Sequence, residues 1–257
     1  MRDFPIGIFD SGIGGLTVLR EVQRLLPEEN LIYFCDSARL PYGAKSPEAI
    51  QRSTLKCVSF LEKMGIKLLL IACHTVSAHV SIDRSVAMIQ PSFDLLMAAT
   101  KKKRAALLGT PSTIASGVYQ DLAKGVITLL PVACPLFVSL AEEHFFSHEA
   151  TDLIAGHYLQ SLREKDVDVA LLACTHYPLL REAIQKALGP SIQIIDPAVV
   201  VAEEAKRRLA AENLLREGKK GTTQFFVTDR LKKFSSLAEI ILGRQLPEEE
   251  ITLVDLD

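Results

Sequence analysis

A buried β-strand is predicted at Ile66-Lys-Leu-Leu-Leu-Ile-Ala-Cys-His-Thr75, where a continuous apolar run ends at a cysteine followed by two polar residues. The run from Leu68 to Ala72 does not alternate with polar residues, which is typical of a parallel strand covered by helices on both faces. A second stretch, Val167-Asp-Val-Ala-Leu-Leu-Ala-Cys-Thr-His176, repeats the design with Thr and His in exchanged order. A functional interpretation therefore has to explain two cysteines at the carboxyl ends of two related strands.

Predicted strands alternate with predicted helices along the rest of the chain, which indicates βαβ units and parallel sheets. Besides the two cysteine strands, we predict strands at residues 5–9, 31–34, 105–108, 127–132, 192–195 and 223–228. We predict helices at about residues 16–26, 47–64, 149–164 and 199–211, with Ser46 capping the second of them.

The pattern also repeats, because 63 positions separate Asp10 from Cys73 and 64 separate Thr110 from Cys174. We therefore expect an α/β protein with two similar domains, each built on a parallel sheet and related by an internal pseudo-twofold. The first domain is predicted to combine residues 1–95 with residues 206–257, and the second to span residues 96–205. In open α/β sheets the ligand lies outside the carboxyl ends of the strands, so the active site is expected in the cleft between the domains.

Composition narrows the class of protein. A net charge of -2 gives no reason to expect nucleic acid or an anionic membrane as a partner. The apolar runs are far shorter than the roughly 18 residues of a membrane span, and no signal-peptide core is present, so a cytoplasmic location is predicted. Five cysteines without a secretory signal predict reduced thiols rather than disulfides. Of these five, Cys35, Cys57 and Cys134 are interpreted as small core residues.

Several site chemistries can be tested against the motifs. Gly12-Ile-Gly-Gly-Leu-Thr17 has Thr where a dinucleotide-binding loop needs its third glycine, and no Gly-Lys-Ser/Thr of a phosphate-binding loop occurs. A mixed zinc site could use Cys73, His74, Cys174 and His176, and a Cys–His hydrolase would leave one cysteine idle. Both stay open as alternatives. Two opposed thiols are better suited to inverting a carbon centre, with one removing a proton and the other delivering one to the opposite face.

Six motifs resemble, in order and spacing, those of glutamate racemases, a branch of the cofactor-independent aspartate/glutamate racemase family. They are Asp10-Ser-Gly-Ile-Gly-Gly-Leu-Thr-Val18, Asp36-Ser-Ala-Arg-Leu-Pro-Tyr-Gly43, Ala72-Cys-His-Thr75, Gly109-Thr-Pro-Ser-Thr-Ile114, Ala133-Cys-Pro-Leu-Phe-Val138 and Ala173-Cys-Thr-His-Tyr-Pro-Leu-Leu180. The resemblance extends from about residue 5 to Phe225-Phe-Val-Thr-Asp229. It implies an isomerase that interconverts L- and D-glutamate without metal, flavin or pyridoxal phosphate. Such an enzyme supplies D-glutamate for peptidoglycan, and so for the bacterial cell wall and cell shape.

The resemblance also implies roles for individual residues. Cys73 is expected to act on the D-isomer face with help from Asp10, and Cys174 on the L-isomer face with help from His176 and Glu142. Further hydrogen bonds are expected from Thr110 and Thr113. The residues expected to bind the substrate are Asp10, Ser11, Tyr42, Gly43, His74, Thr75, Thr175 and His176.

One departure from the family pattern concerns His74, since the family usually has Asn at this position and Ala where this chain has Val76. An imidazole is larger than an amide and changes protonation near neutral pH. We expect His74 to hydrogen-bond the substrate and racemisation to survive. The alternatives are a racemase for another amino acid, such as aspartate, and a catalytically weak binding or regulatory module. The resemblance also allows a homodimer.

Overall fold

The computed structural model describes residues 1–256, which form two parallel β-sheets with helices on both faces of each. The strands are β1 Ile6–Asp10, β2 Leu31–Cys35, β3 Leu68–Ile71, β4 Ser85–Ala87, β5 Arg104–Gly109, β6 Thr128–Ala133, β7 Val169–Ala173, β8 Gln193–Ile195, β9 Thr223–Val227 and β10 Ile251–Leu253. The helices are α1 Leu16–Leu25, α2 Pro47–Lys63, α3 His74–His79, α4 Ile89–Ala99, α5 Pro111–Ala115, α6 Val118–Ala123, α7 Leu136–Glu142, α8 Glu149–Leu159, α9 Arg181–Leu188, α10 Ala198–Ala211 and α11 Leu231–Leu242.

Most predicted elements are present, with ends that shift by one or two residues. Ser46 caps α2 as predicted, because its side chain accepts a hydrogen bond from the backbone of Ala49. The helix predicted at residues 149–164 is shorter, since α8 ends at Leu159 and a 3₁₀ turn occupies Gln160–Glu164. The three-residue strands β4 and β10 were not predicted, because runs this short have no recognisable period.

The two sheets repeat one strand order. The first runs β10-β9-β2-β1-β3-β4 and the second β6-β5-β7-β8, so the order β2-β1-β3-β4 recurs as β6-β5-β7-β8. All neighbouring strands are parallel. This arrangement confirms the predicted fold class of two similar parallel α/β units. The late strand β9 joins β2, which shows that the end of the chain returns to the first sheet.

Helices bury both faces of each sheet. One face of the first sheet packs against α1, α10 and α11, and the opposite face packs against α2. The second sheet is covered by α4 and α6 on one face and by α7, α8 and α9 on the other. Burial on both faces explains why the central strands have continuous apolar sequences.

The exact division between the domains stays a prediction. The predicted boundary after residue 205 falls within α10, whose buried residues Val201, Ala205 and Leu209 belong to the same core as α1. The cysteines Cys35, Cys57 and Cys134 are buried, in agreement with their predicted packing role. No helix within residues 1–256 is long and apolar enough to cross a membrane.

Candidate active site

The carboxyl ends of the central strands of both sheets face one small, enclosed cavity. Its volume is about 20 Å³, which is room for about one water molecule. A substrate the size of an amino acid therefore requires the lining residues to move apart. The lining residues are Ser11, Leu40, Pro41, Tyr42, Gly43, Cys73, His74, Thr75, Thr110, Val138, Cys174, Thr175 and His176. Nearly all of the predicted site residues are thus brought together.

Cys73 lies just beyond β3, at the first turn of α3. Its Sγ is 3.2 Å from Ser11 Oγ, which also donates to Asp10 Oδ1 at 3.2 Å. Burial and the negative charge of Asp10 raise the pKa of the Cys73 thiol, and the hydrogen bond with Ser11 offsets this only in part. The free protein therefore holds a proton on Cys73.

Cys174 occupies the equivalent position beyond β7, but its partner is an imidazole. Its Sγ lies 3.9 Å from His176 Nδ1, and His176 Nε2 lies 2.9 Å from Glu142 Oε1. Burial acts to lower the pKa of His176, but its hydrogen bonds and charge interactions with Cys174 and Glu142 outweigh burial and raise that pKa well above its usual value. An imidazolium donating to Glu142 consequently stands beside the Cys174 sulfur.

Glu142 completes this group from the end of α7 and is 7% exposed. Burial acts to raise the pKa of its carboxyl, but the hydrogen bond and charge of His176 and the charge of Lys233 lower it overall. Glu142 is therefore a carboxylate at neutral pH.

Asp10 connects the two sides of the cavity. Thr175 Oγ1 donates to Asp10 Oδ2 at 2.9 Å, while Ser11 links the other carboxylate oxygen to Cys73. Asp10 is fully buried, and burial raises the pKa of its carboxyl in spite of the nearby charge of His176. A residue predicted to help Cys73 and to bind substrate thus also contacts the loop that carries Cys174.

Glycines let the loops of the first sheet approach those of the second. A Cβ on Gly14 would lie 2.5 Å from Thr175 Oγ1 and 2.7 Å from the backbone nitrogen of His176. A Cβ on Gly43 would lie 2.5 Å from the Cβ of Thr110. Contacts this short are sterically forbidden, so both positions require glycine.

His74 behaves differently from the sequence-based expectation that its charge changes near neutral pH. Burial lowers the pKa of this side chain to about 3, so it is neutral throughout the physiological range. Its Nδ1 lies 3.0 Å from the hydroxyl of Tyr119 on α6. Its Nε2 has no hydrogen-bond partner among residues 1–256. His74 lines the cavity.

Tyr42 lines the cavity, but its hydroxyl is hydrogen-bonded to Asp36. That hydroxyl donates to Asp36 Oδ2 at 2.5 Å, and Asp36 Oδ1 accepts from Thr228 Oγ1 at 2.9 Å. Asp36 therefore anchors the loop that presents Tyr42 and Gly43 to the cavity. Substrate contacts from this loop would come from its backbone.

Three threonines form a hydrogen-bonded group at another wall. Thr75 Oγ1 lies 2.9 Å from Thr110 Oγ1 and 3.2 Å from Thr113 Oγ1. Thr113 does not line the cavity itself and orients the other two hydroxyls.

Sequence reasoning missed Asp36, Tyr119 and Lys233 as residues that support the site. Asp36 follows strand β2 within a quoted motif, so its position at a strand end could have identified it. Tyr119 and Lys233 lie on helices far along the chain from their partners and have no local signal. No group of three or more His, Cys, Asp or Glu side chains suited to a metal ion occurs within the described residues, 1–256.

Comparison with known proteins agrees with this geometry. Residues 6–205 match the Asp/Glu/hydantoin racemase family. The glutamate racemase of Chlorobaculum tepidum is 42% identical over 262 aligned positions, which cover 97% of this chain and 96% of that protein.

Solved structures show the same fold. The glutamate racemase isoform RacE1 of Bacillus anthracis superposes with a TM-score of 0.93 at 31% identity, with 100% of this chain and 99% of that chain covered. The Francisella tularensis enzyme, determined in complex with D-glutamate, superposes equally well, with a TM-score of 0.93, 33% identity and the same coverage of 100% and 99%.

Proposed function

This chain belongs to the Asp/Glu/hydantoin racemase family and is therefore an isomerase, and from that premise we propose that it interconverts L- and D-glutamate. The observation that supports this most directly is the pair of thiols at equivalent strand ends of the two sheets, both of which line one cavity. The likeness to a glutamate racemase solved with D-glutamate supports the choice of substrate.

In the proposed reaction each thiol serves one face of the α-carbon. With L-glutamate, the Cys174 thiolate removes the α-proton and the Cys73 thiol delivers its proton to the opposite face. The enzyme is left with the proton on Cys174 and a thiolate at Cys73, which is the form that accepts D-glutamate. The proton count thus balances over the turnover.

The developing negative charge at the α-carbon and its carboxylate is best stabilised by fixed donors that already point at the reacting atoms. Thr75 and Thr110 line the cavity, and their hydroxyls are suited to that task. The unpartnered Nε2 of His74 is a further candidate contact to the substrate. The second carboxylate of glutamate would add binding energy away from the reacting carbon.

We also propose that the activity is cytoplasmic and supplies D-glutamate for peptidoglycan, and that the chain forms a homodimer. The resemblance to racemases with this role supports these statements. Complementation of a bacterial strain that requires D-glutamate tests the role, and sedimentation equilibrium tests the dimer.

Racemisation of D- and L-glutamate in deuterated buffer tests the two-thiol reaction. The wild-type protein should convert each enantiomer to the racemate and incorporate α-deuterium. Cys73→Ser and Cys174→Ser should each lose about a thousandfold or more in turnover, because a serine hydroxyl is a far weaker acid than a thiol and is not ionised near neutral pH. Cys57→Ser is the matched control, since Cys57 is buried in α2 outside the cavity.

The outcomes separate the alternatives. Turnover of aspartate but not of glutamate would keep the reaction and overturn the substrate. No turnover of any amino acid would overturn the proposal and favour a binding role. A Cys73→Ser or Cys174→Ser variant that racemises at the wild-type rate would overturn the two-thiol mechanism.

A further inference from the structure

Lys233 on helix α11 forms ion pairs with two glutamates at the end of α7. Lys233 Nζ lies 3.7 Å from Glu142 Oε2 and 2.7 Å from Glu143 Oε1, at the end of α7. Helix α11 packs against the first sheet, whereas α7 packs against the second. The lysine side chain is 24% exposed, so part of its charge is sheltered from solvent.

The two oxygens of Glu142 have different partners. Oε1 accepts from His176 Nε2 at 2.9 Å, and Oε2 faces the ammonium of Lys233. The hydrogen bond at Oε1 and the ion pair at Oε2 both favour one orientation of the carboxylate. Contacts therefore run without interruption from Lys233 through Glu142 and His176 to the sulfur of Cys174.

We propose that Lys233 is a positioning residue for the racemisation, holding the Glu142 carboxylate in the orientation that binds His176 beside Cys174. This assignment rests on the proposed function for its effect on turnover. Lys233 does not line the cavity, and of the two glutamates that it contacts, Glu142 is the one bonded to His176. Glu142 lies on α7, which packs against the second sheet. The contact between Lys233 and Glu142 therefore forms only when the two sheets are close together.

Other charged and titratable groups also face this assembly. Asp10 interacts with His176, while Glu143 and Arg230 lie near the lysine end of the chain of contacts. Tyr33 and Cys35 approach Glu142 from the first sheet. All of these groups remain in a Lys233 variant, so the change in such a variant reports the removal of one cation.

Electrostatics determines the direction in which the pKa values of Glu142 and His176 change when Lys233 is replaced. Removing a nearby positive charge favours the protonated form of every neighbouring group, so the pKa values of Glu142 and His176 should both rise. In Lys233→Met the pH profile of kcat should move to higher pH by about half a unit, and kcat near neutral pH should fall about two- to tenfold. KM should change less than kcat.

Two variants on the same helix provide controls. Lys233→Arg keeps the charge and should restore the wild-type pH profile. Lys232→Met removes an exposed cation one position earlier and should leave the profile unchanged. Equal profiles for wild type and Lys233→Met, or equal shifts for Lys232→Met and Lys233→Met, would overturn the proposal.

A measurement that needs no turnover separates this inference from the proposed function. Nuclear magnetic resonance of the protein labelled with ¹³C at its glutamate carboxyl groups follows the titration of Glu142, which Glu142→Gln assigns. The Glu142 resonance should titrate at higher pH in Lys233→Met than in wild type. An unchanged titration overturns the role of Lys233 even if the enzyme is active. Absent racemisation with a shifted titration overturns only the proposed function.

Discussion

Cys73 and Cys174 end equivalent strands of two sheets with the same strand order, yet the charges around them are opposite. The Cys73 sulfur lies beside a hydroxyl that is bonded to the Asp10 carboxylate. The Cys174 sulfur lies beside the His176 imidazole, whose pKa is raised by Cys174 and Glu142. A repeated backbone has thus been given two different sets of side chains.

In the proposed reaction this difference suits the two thiols to complementary tasks. Burial and a carboxylate near Cys73 favour the protonated thiol, whereas the group beside the Cys174 sulfur is an imidazolium. One side can then deliver a proton while the other removes one. The lesson is that equivalent positions in a duplicated fold need not be chemically equivalent.

The largest effects are expected when each thiol loses its own partner. His176→Gln should lower kcat with L-glutamate about a hundredfold, because it removes the cation beside the L-face base. The loss of kcat with D-glutamate should be smaller. Asp10→Asn should show the opposite preference. Because the equilibrium constant between enantiomers is unity, kcat/KM must change equally in both directions, so the comparison uses kcat measured separately from each enantiomer.

Two exposed residues supply the controls for these variants. His157→Gln and Asp83→Asn make the same chemical changes on the surface and should leave kcat unchanged. Equal losses of kcat from both enantiomers in both variants would contradict the assignment of one partner to each thiol.

A smaller effect is expected on the stability of the folded protein, and it should differ between Asp10→Asn and His176→Gln. The pKa of Asp10 is raised in the folded protein, so its ionised form costs stability once the pH exceeds that folded value. Asp10→Asn should therefore stabilise the protein at pH 7 by on the order of 1 kcal/mol, or a few degrees in Tm. The gain should vanish as the pH falls through the folded pKa of Asp10 towards its usual value of about 3.8.

His176→Gln should destabilise the protein in the same measurements. A raised folded pKa means that protonated His176 contributes stability fully below about pH 6.5, and that this contribution is lost as the pH rises through the folded value. Thermal unfolding followed by circular dichroism between pH 4 and pH 10 checks both signs. Destabilisation by Asp10→Asn at neutral pH would contradict the cost assigned to its burial.

The smallest effect on turnover is expected for His74→Asn, on the Cys73 side. The imidazole is neutral, with a pKa of about 3, so the pH profile above pH 5 should not change. Turnover of glutamate should stay the same or rise, while loss of the bond to Tyr119 should cost about 1 kcal/mol of stability. Steady-state kinetics and thermal unfolding measure the two effects. A clear fall in kcat would show that His74 has a role of its own.

The fold could be predicted from sequence because its signals are local. Continuous apolar strands such as β3 and β7, the turn after β1 and the cap of α2 are each visible within about ten residues. The nearly equal spacings from Asp10 to Cys73 and from Thr110 to Cys174 indicated the repeat. The short strands β4 and β10 gave no such signal, since their pairing in the sheet determines them.

The amino-acid sequence by itself determined the two parallel α/β units, the strand ends that carry the cysteines and the family motifs around them. Only the tertiary structure decided that Asp10 bonds both sides of the cavity, that His74 is neutral against Tyr119, and that Lys233 reaches Glu142. The physical reason is that protonation and hydrogen bonding depend on burial and on partners far apart in the chain. Those partners meet only when the two sheets pack together.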